Sequence, residues 1–345
     1  MQTWAAALYG VRQAVRAGRP FFPVFSRNAR SRIGWRHAML DAQPRPRRPL
    51  IEIPGLGSEV HHVKRYEVRR FLGEGGMGRV YQAYDPVLER DVALKVVKAG
   101  IPEGERRRFR REAIVGARFC YPSIARIFDL GICQRSDAEW FTMEYLPGTD
   151  MAAVIDRAEA RGKHLPLAAV ADVFRQILAA LQYAHDCRIV HRDVKPANMF
   201  VTRDPNTRFM TTKLLDFGVA LDLDGPTKTE VLCGDPNYMA PEQTRFGADV
   251  DPRADIYAAG MSLYEVVTGR LPFEELADAP LAELLRAQRE SAPLPPSLLL
   301  PAGTPSAVSE GLDRVFARAC AKDPDDRYQS AVEMQEVLLA VLSLA

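Results

Sequence analysis

Hydrophobic and polar positions alternate with a period of two over residues 66–146, a pattern typical of β-strands. One charged helix, EGERRRFRREAIVGARF, interrupts the alternation, and an Asp85-Pro86 turn separates two of the strands. The strand-like segments read YEVRRFLGEGGMG, RVYQAYD, DVALKVVKA, IARIFDLG and AEWFTMEYL. The pattern predicts an antiparallel sheet with a single helix in this part of the chain.

Beyond Gly148 the pattern changes to the 3.6-residue period of helices. Residues 254–269 (ADIYAAGMSLYEVVTG) are apolar on nearly every side, which predicts an interior helix that ends at Gly269. The segment AAVADVFRQILAALQYAHD carries one apolar stripe, formed by Val170, Val173, Phe174, Ile177, Leu178 and Leu181. The chain is therefore predicted to be of the α+β class, with a β-rich first part and a larger helical second part.

The first 65 residues form an Arg/Pro-rich leader. Trp4, Leu8, Val11 and Val15 lie on one helical stripe, and a linker of sequence DAQPRPRRPL follows. An interfacial helix with peripheral membrane association and an organelle-targeting leader both suit this pattern. A largely disordered tail is the interpretation that we favour.

Composition restricts the classes of function. The 345 residues are 47% hydrophobic, which is enough for a large core, and the net charge is +2. Residues 1–60 contain ten Arg and three acidic residues, so the basic character is local and gives no reason to expect nucleic-acid binding. The five cysteines are scattered, which indicates reduced thiols in a cytoplasmic compartment. No uninterrupted apolar run approaches the roughly 18–20 residues of a transmembrane helix.

Three glycines, Gly73, Gly75 and Gly78, form a G-x-G-x-x-G pattern. A dinucleotide-binding fold would need a helix immediately afterwards, whereas RVYQAY is strand-like, so we regard that alternative as weak. A glycine-rich hairpin can instead lie close over nucleotide phosphates and offer backbone N–H donors. Lys95 follows on the next strand, and Glu112 in the charged helix could hold it against the α- and β-phosphates.

The segment HRDVKPANMF brings an acid, a cation and an amide together within six positions. Phosphoryl transfer requires in-line positioning and neutralisation of phosphate charge more than covalent help from the protein. Asp193 would accept or orient the proton of an incoming hydroxyl, and Lys195 would lie against the phosphoryl group. Asn198, with Asp216 of LLDFGVA, would supply oxygen ligands to Mg²⁺.

Together these motifs resemble a protein kinase, and specifically the eukaryotic-type (Hanks-type) serine/threonine kinases of bacteria. The resemblance covers about residues 66–342 and rests on GEGGMGRV, VALK, Glu112, MEYLPG, HRDVKPAN, DFG, YMAPE, DIYAAG and DPDDRY. It implies a two-lobed fold, with an N-lobe over about 66–146 and a C-lobe over about 147–342. It also implies transfer of the γ-phosphoryl group of ATP to protein Ser or Thr hydroxyls, with Mg²⁺ or Mn²⁺ as the metal.

The resemblance implies further roles. ATP would be bound by the glycine hairpin and its flanks with Lys95, that is, by Leu72, Gly73, Glu74, Gly75, Gly76, Met77, Gly78, Arg79 and Val80. Met143 would guard the back of the adenine pocket, and Glu144 and Tyr145 would lend backbone groups to adenine. Structural roles are implied for Glu242 with Arg327, as a buried ion pair, and for Asp255, as an anchor of the catalytic loop.

Regulation by phosphorylation is also expected. Arg192 next to the proposed base is a cation that a phosphothreonine could satisfy. Thr227 and Thr229 match the spacing of paired autophosphorylation threonines in similar kinases. Two copies of this chain would then form a transient homodimer for trans-autophosphorylation.

Asp235 departs from the family pattern, which has a Thr at this position. It would place a second carboxylate near Asp193 and could capture Lys195; we favour a modest effect on rate. Two alternatives stay open. One is a nucleotide-binding pseudokinase that acts as a scaffold, and the other is a kinase-like enzyme for a small molecule.

Overall fold

The computed structural model describes residues 62–133, 137–203, 210–225 and 232–345. The predicted N-terminal helix lies outside the described residues. In the described residues the sheet begins at His62, so residues 62–65 of the predicted leader form its first short strand and the turn that follows.

The N-lobe is a six-stranded antiparallel sheet with one helix packed against it. Alternate residues of the central strands, such as Tyr81 and Leu94, are buried against Phe109 and Ala113 of the helix. The elements are β1 (His62–Val63), β2 (Tyr66–Glu74), β3 (Gly78–Asp85), β4 (Arg90–Val97), α1 (Glu103–Gly116), β5 (Ile127–Ile132) and β6 (Glu139–Glu144). The order across the sheet is β1-β2-β3-β4-β6-β5.

The C-lobe contains the other six of the seven α-helices in the described residues, with short strands at its upper edge. Its helices are α2 (Met151–Glu159), α3 (Leu167–Asp186), α4 (Arg253–Thr268), α5 (Leu281–Glu290), α6 (Ser306–Ala319) and α7 (Ala331–Leu342). Its strands are β7 (Gly148–Asp150), β8 (Ile189–Val190), β9 (Met199–Arg203), β10 (Met210–Leu214) and β11 (Leu221–Asp222). The predicted two-lobed α+β fold is confirmed.

Two helices form the centre of the C-lobe as predicted. Helix α4 is almost entirely buried and ends at Gly269, whose φ of 76° is the left-handed conformation that glycine tolerates best. The apolar stripe predicted for α3 is buried in the same core. Among the described helices α3 is the one long and apolar enough to span a membrane, but a buried core helix passes that test too, so the indication is weak.

Strand pairing brings two loops of the C-lobe side by side. Val190 at the end of β8 pairs with Leu221 at the start of β11. Met199 at the start of β9 pairs with Leu214 at the end of β10. The loop 191–198 and the loop 215–220 are therefore held next to each other, immediately below the N-lobe.

Candidate active site

The glycine-rich hairpin joins β2 to β3 at the top of the cleft. The backbone N–H of Gly75 donates to the carbonyl of Gly78 at 2.9 Å, which closes the turn. Gly78 is required sterically, because a Cβ there would lie 2.7 Å from the carbonyl oxygen of Val96. Gly73 and Gly76 have open space around them, so their small size leaves room for a ligand.

Below the hairpin, Lys95 and Glu112 form a buried ion pair. The Lys95 ammonium donates to both carboxylate oxygens of Glu112, at 2.7 and 2.6 Å. Burial lowers the pKa of Lys95, but the carboxylates of Glu112 and Asp216 outweigh it, so its pKa is raised and it stays charged. Burial, assisted by Asp216, raises the pKa of Glu112 to about 7. Two carboxylates thus share one cation, which leaves the pocket short of positive charge.

In the loop 191–198, Asp193, Lys195 and Asn198 are in direct contact. The Asn198 amide nitrogen donates to the Asp193 carboxylate at 3.0 Å and to its backbone carbonyl at 2.8 Å. The Lys195 ammonium lies 3.1 Å from the Asp193 carboxylate. Because the side-chain nitrogen of Asn198 donates to Asp193, the side-chain oxygen of Asn198 is the atom available to bind a cation.

Asp255 holds this loop from below. Its fully buried carboxylate accepts hydrogen bonds from the backbone N–H groups of His191 and Arg192, both at 2.8 Å, and lies 2.7 Å from the His185 ring nitrogen. Burial raises the pKa of Asp255, but these donors outweigh it and the pKa is lowered. The carboxylate therefore remains ionised and fixes Arg192 at a φ of 65°.

Asp216 is placed beside the same loop. The backbone N–H of Leu215 donates to the Asn198 carbonyl at 2.9 Å, and the Asp216 carboxylate accepts from the N–H of Gly218 at 3.1 Å. Asp216 itself has a φ of 62°, an uncommon conformation for a residue other than glycine. Asp216 is also close enough to Lys95 and Glu112 to shift their pKa values, so it lies between that ion pair and the Asp193–Asn198 contact.

Next to these charged residues is a cavity of about 740 Å³ between the lobes. It is large enough for a nucleotide. Of the residues predicted to bind ATP, those that line it are Leu72, Gly73, Glu74, Gly75, Val80, Met143, Glu144 and Tyr145. Gly76, Met77, Gly78, Arg79 and Lys95, which were also predicted to bind ATP, are not among its lining residues; the Met77 methyl group instead lies above Gly218.

At the hinge between the lobes, one backbone group of Glu144 is engaged within the protein. The Glu144 N–H already donates to the Arg126 carbonyl at 2.8 Å, and the Glu144 carboxylate accepts from Lys213 at 2.9 Å. Leu146, which was not predicted, lines the cavity, as do Ala93 and Leu215. Ala93 could have been found from the sequence, because it lies two residues before Lys95 and so on the same face of β4.

Asp235 contacts Oδ1 of Asp193, whereas Asn198 contacts Oδ2. Its backbone N–H donates to the Asp193 carboxylate at 2.8 Å, and its own carboxylate lies 3.4 Å from the Lys195 ammonium. Burial lowers the pKa of Lys195, but Asp193 and Asp235 outweigh it and the pKa is raised. Lys195 is therefore shared between the two carboxylates.

Glu242 and Arg327 form a bidentate pair, with nitrogen–oxygen distances of 2.7 and 2.8 Å. Arg327 is only 1% exposed, and it also donates to the backbone carbonyls of Ala321, Arg253 and Lys322. Every donor direction of the guanidinium is thus used, as a buried charge requires.

Arg192 lies near two other arginines, Arg111 and Arg108, and near Asp255. Its Nε donates to the Val219 carbonyl at 2.6 Å. Burial lowers the pKa of Arg192, and the nearby Arg111 and Arg108 lower it further. The two threonines predicted to be phosphorylated, Thr227 and Thr229, lie outside the described residues.

Two lobes, a nucleotide-sized cleft and charged contacts near it are the architecture of a protein kinase. Residues 66–339 match the model of the protein kinase domain family, and the chain belongs to that family.

Similar proteins support this assignment. The chain is 36% identical over 288 residues to the serine/threonine-protein kinase PksC of Streptomyces coelicolor, a match that covers 80% of this chain and 49% of that protein. It is 36% identical over 289 residues to the serine/threonine-protein kinase PknB of Mycolicibacterium smegmatis, covering 81% and 43%. The crystal structure of the Mycobacterium tuberculosis PknI kinase domain matches with a TM-score of 0.60 and 31% identity, over 81% of this chain and 96% of that one. The chain spans half or less of the length of these two curated relatives.

Proposed function

We propose that this chain transfers the γ-phosphoryl group of ATP to serine and threonine hydroxyls of proteins. The observation that supports the proposal is a pair of charged contacts near a nucleotide-sized cavity, Lys95–Glu112 and Asp193–Asn198, with Asp216 close enough to the first pair to shift its pKa values. Such an arrangement combines one fixed cation with carboxylate and amide oxygens, which suits phosphoryl transfer better than other group transfers.

In this proposal Lys95 binds the α- and β-phosphates, and Glu112 orients it. Asp193 accepts the proton of the acceptor hydroxyl, and Lys195 neutralises charge on the transferring group. The contact between Asn198 and Asp193 at 3.0 Å supports this arrangement, because it fixes the carboxylate direction before a substrate arrives. The cavity-lining part of the hairpin, with Met143, Glu144, Tyr145 and Leu146, would enclose the nucleotide.

A divalent cation, Mg²⁺ or Mn²⁺, fits the donor chemistry of Asn198 and Asp216, since both can offer hard oxygen ligands. Among the described residues no group of three His, Cys, Asp or Glu side chains could hold a metal alone. The remaining ligands of the ion would be oxygen atoms of the triphosphate. When bound, the ion supplies charge neutralisation at the phosphate oxygens.

Polypeptide acceptors are favoured over small molecules. The Glu242–Arg327 pair ties the segment that follows Asp235 to the C-lobe, and this segment would form a ledge for an extended chain beside Asp193. Asp255 would keep the catalytic loop in register with that ledge. A cytoplasmic location is part of the proposal; peripheral membrane association would depend on the leader, which lies outside the described residues.

Activation by autophosphorylation in a transient homodimer is the regulatory part of the proposal. Arg192 donates to the carbonyl of Val219, and burial together with the nearby charges of Arg111 and Arg108 lowers its pKa. A phosphate on Thr227 or Thr229 would relieve this repulsion and order the segment between Val219 and Asp235.

The test is incubation of the purified chain with MgATP, or MnATP, followed by mass-spectrometric mapping of phosphosites, with Asp193→Asn as the control. We expect phosphate at Thr227 or Thr229 in the wild type and none in the control. A chain that shifts its melting temperature with ATP but phosphorylates nothing would support the pseudokinase alternative. Phosphorylation of a metabolite but of no protein would support the small-molecule alternative.

A further inference from the structure

A fully buried glutamine, Gln288 on α5, contacts the segment that follows Asp235. Its amide nitrogen donates to the backbone carbonyls of Pro236 at 3.0 Å and Asn237 at 2.8 Å. Its amide oxygen accepts from the Tyr257 hydroxyl at 2.7 Å. Both N–H donors and the oxygen of this amide are therefore used, which fixes its orientation.

The direction of the hydrogen bonds is set from the far side of the lobe. The Lys322 ammonium can only donate. It donates to the Tyr257 hydroxyl at 3.1 Å and to the backbone carbonyl of Gln288 at 2.8 Å. The Tyr257 hydroxyl consequently uses its own hydrogen toward Gln288. The Gln288 nitrogen is left to face the two carbonyls, so the chain of bonds has one polarity from Lys322 to Pro236 and Asn237.

The two carbonyls that Gln288 holds directly follow Asp235, which contacts Asp193, the proposed catalytic base. Asp235, directly before Pro236, donates its N–H to the Asp193 carboxylate at 2.8 Å. The Asp235 carboxylate in turn accepts from the backbone and side-chain nitrogens of Asn237, both at 3.1 Å. Any movement of residues 236–237 would therefore be transmitted to the partner of Asp193.

We infer that Gln288 is a positioning residue for the acceptor polypeptide. Its side-chain amide fixes residues 236–237, which belong to the proposed ledge, and these residues in turn hold Asp235 against Asp193. The inference rests on the proposed kinase activity, and it concerns acceptor use rather than nucleotide binding. Loss of Gln288 should raise the KM for the acceptor, or lower kcat with it, while the KM for ATP is conserved.

The experiment uses the full chain, with myelin basic protein as acceptor and MgATP as donor. Gln288→Leu removes all three side-chain hydrogen bonds at nearly constant volume. Tyr257→Phe is a milder second variant, which removes only the hydroxyl between Lys322 and Gln288. Leu284→Ala is the matched control, because Leu284 is buried on the same helix but belongs to the apolar core.

For Gln288→Leu we expect kcat/KM for the acceptor to fall at least tenfold, with the KM for ATP within twofold of wild type. Tyr257→Phe should give a smaller loss in the same direction. Hydrogen–deuterium exchange at residues 235–240 should accelerate in both variants but not in Leu284→Ala, even at equal loss of melting temperature.

Acceptor kcat/KM of Gln288→Leu within twofold of wild type would overturn the inference. So would equal losses for ATP and acceptor, or exchange in 235–240 that is no faster than in Leu284→Ala. If the wild-type chain phosphorylates no protein, the proposed function fails instead. The exchange measurement then still decides whether Gln288 holds this segment.

Discussion

Replacement of Asp235 by Thr or Asn removes one negative charge from the immediate surroundings of Asp193. In the wild type the Lys195 ammonium lies 3.1 Å from the Asp193 carboxylate and 3.4 Å from that of Asp235. The backbone N–H of residue 235, which donates to Asp193, survives both replacements. The carboxylate also accepts from both nitrogens of Asn237; because Asn keeps an acceptor oxygen in its side chain, Asp235→Asn is the variant closer to a pure change of charge.

The magnitude follows from these distances. Two carboxylates on either side of one ammonium are about 6 Å apart, and at an effective dielectric constant of about 20 they repel by about 3 kcal/mol. Lys195 cancels most of this repulsion because it contacts both. If about 1 kcal/mol remains and opposes approach of the phosphate, its removal should raise the rate about fivefold.

The assay is the initial rate of myelin basic protein phosphorylation at saturating MgATP. We expect Asp235→Thr and Asp235→Asn to be about fivefold faster than wild type and Asp193→Asn to be inactive. Asp172→Asn, which removes an exposed acid on α3, should leave the rate unchanged. A rate for Asp235→Thr equal to or below that of wild type would refute the reasoning and would mean that Asp235 is a useful partner of Lys195.

Three further changes test the buried charges. Glu242→Gln leaves the Arg327 guanidinium uncompensated, so urea denaturation should show unfolding free energy lower by about 3 kcal/mol; equal stability would contradict the buried pair. Lys95→Met should keep the fold by circular dichroism, because Glu112, with a pKa raised to about 7, can take up a proton, while protein phosphorylation falls at least about 100-fold; retained activity would exclude Lys95 from phosphate binding. Burial lowers the pKa of Lys322 from 10.5 to about 8, so the unfolded chain binds more protons between these values. The free energy of unfolding of the wild-type chain should therefore rise with pH between about 8 and 10.5, by at most about 3 kcal/mol relative to Lys322→Met. Parallel curves of unfolding free energy against pH for the two chains would contradict this.

The sequence predicted those parts of the fold and site that are encoded locally. Strand alternation and the α3 stripe gave the lobes, because burial of one face leaves a period in the chain. Asp193, Lys195 and Asn198 lie within six positions of one another, and a single loop brings them together. The short strand β1 was missed, since two residues carry no detectable period.

Contacts between distant segments left no such signal. Gln288 is separated by 51 and 52 positions from the carbonyls that it holds, and nothing in RAQRE distinguishes it from a solvent-facing residue. The engagement of the Glu144 N–H by the Arg126 carbonyl also depends on how β5 and β6 pair at their ends. Such contacts are set by packing, and one sequence read alone does not record them.

Helix α1 connects the buried Lys95–Glu112 pair to residues 220–222, at the start of the segment where phosphorylation is proposed. Glu112 faces Lys95, while the preceding Arg111 donates its Nε to the Ala220 carbonyl at 2.8 Å. Two residues beyond the end of this helix, Arg118 binds the Asp222 carboxylate at 2.6 Å. Because Arg111 and Glu112 are consecutive residues of the helix, displacement of residues 220–222 would be transmitted to Glu112 and to its contact with Lys95. We therefore expect the position of residues 220–222 and the integrity of the Lys95–Glu112 pair to be coupled.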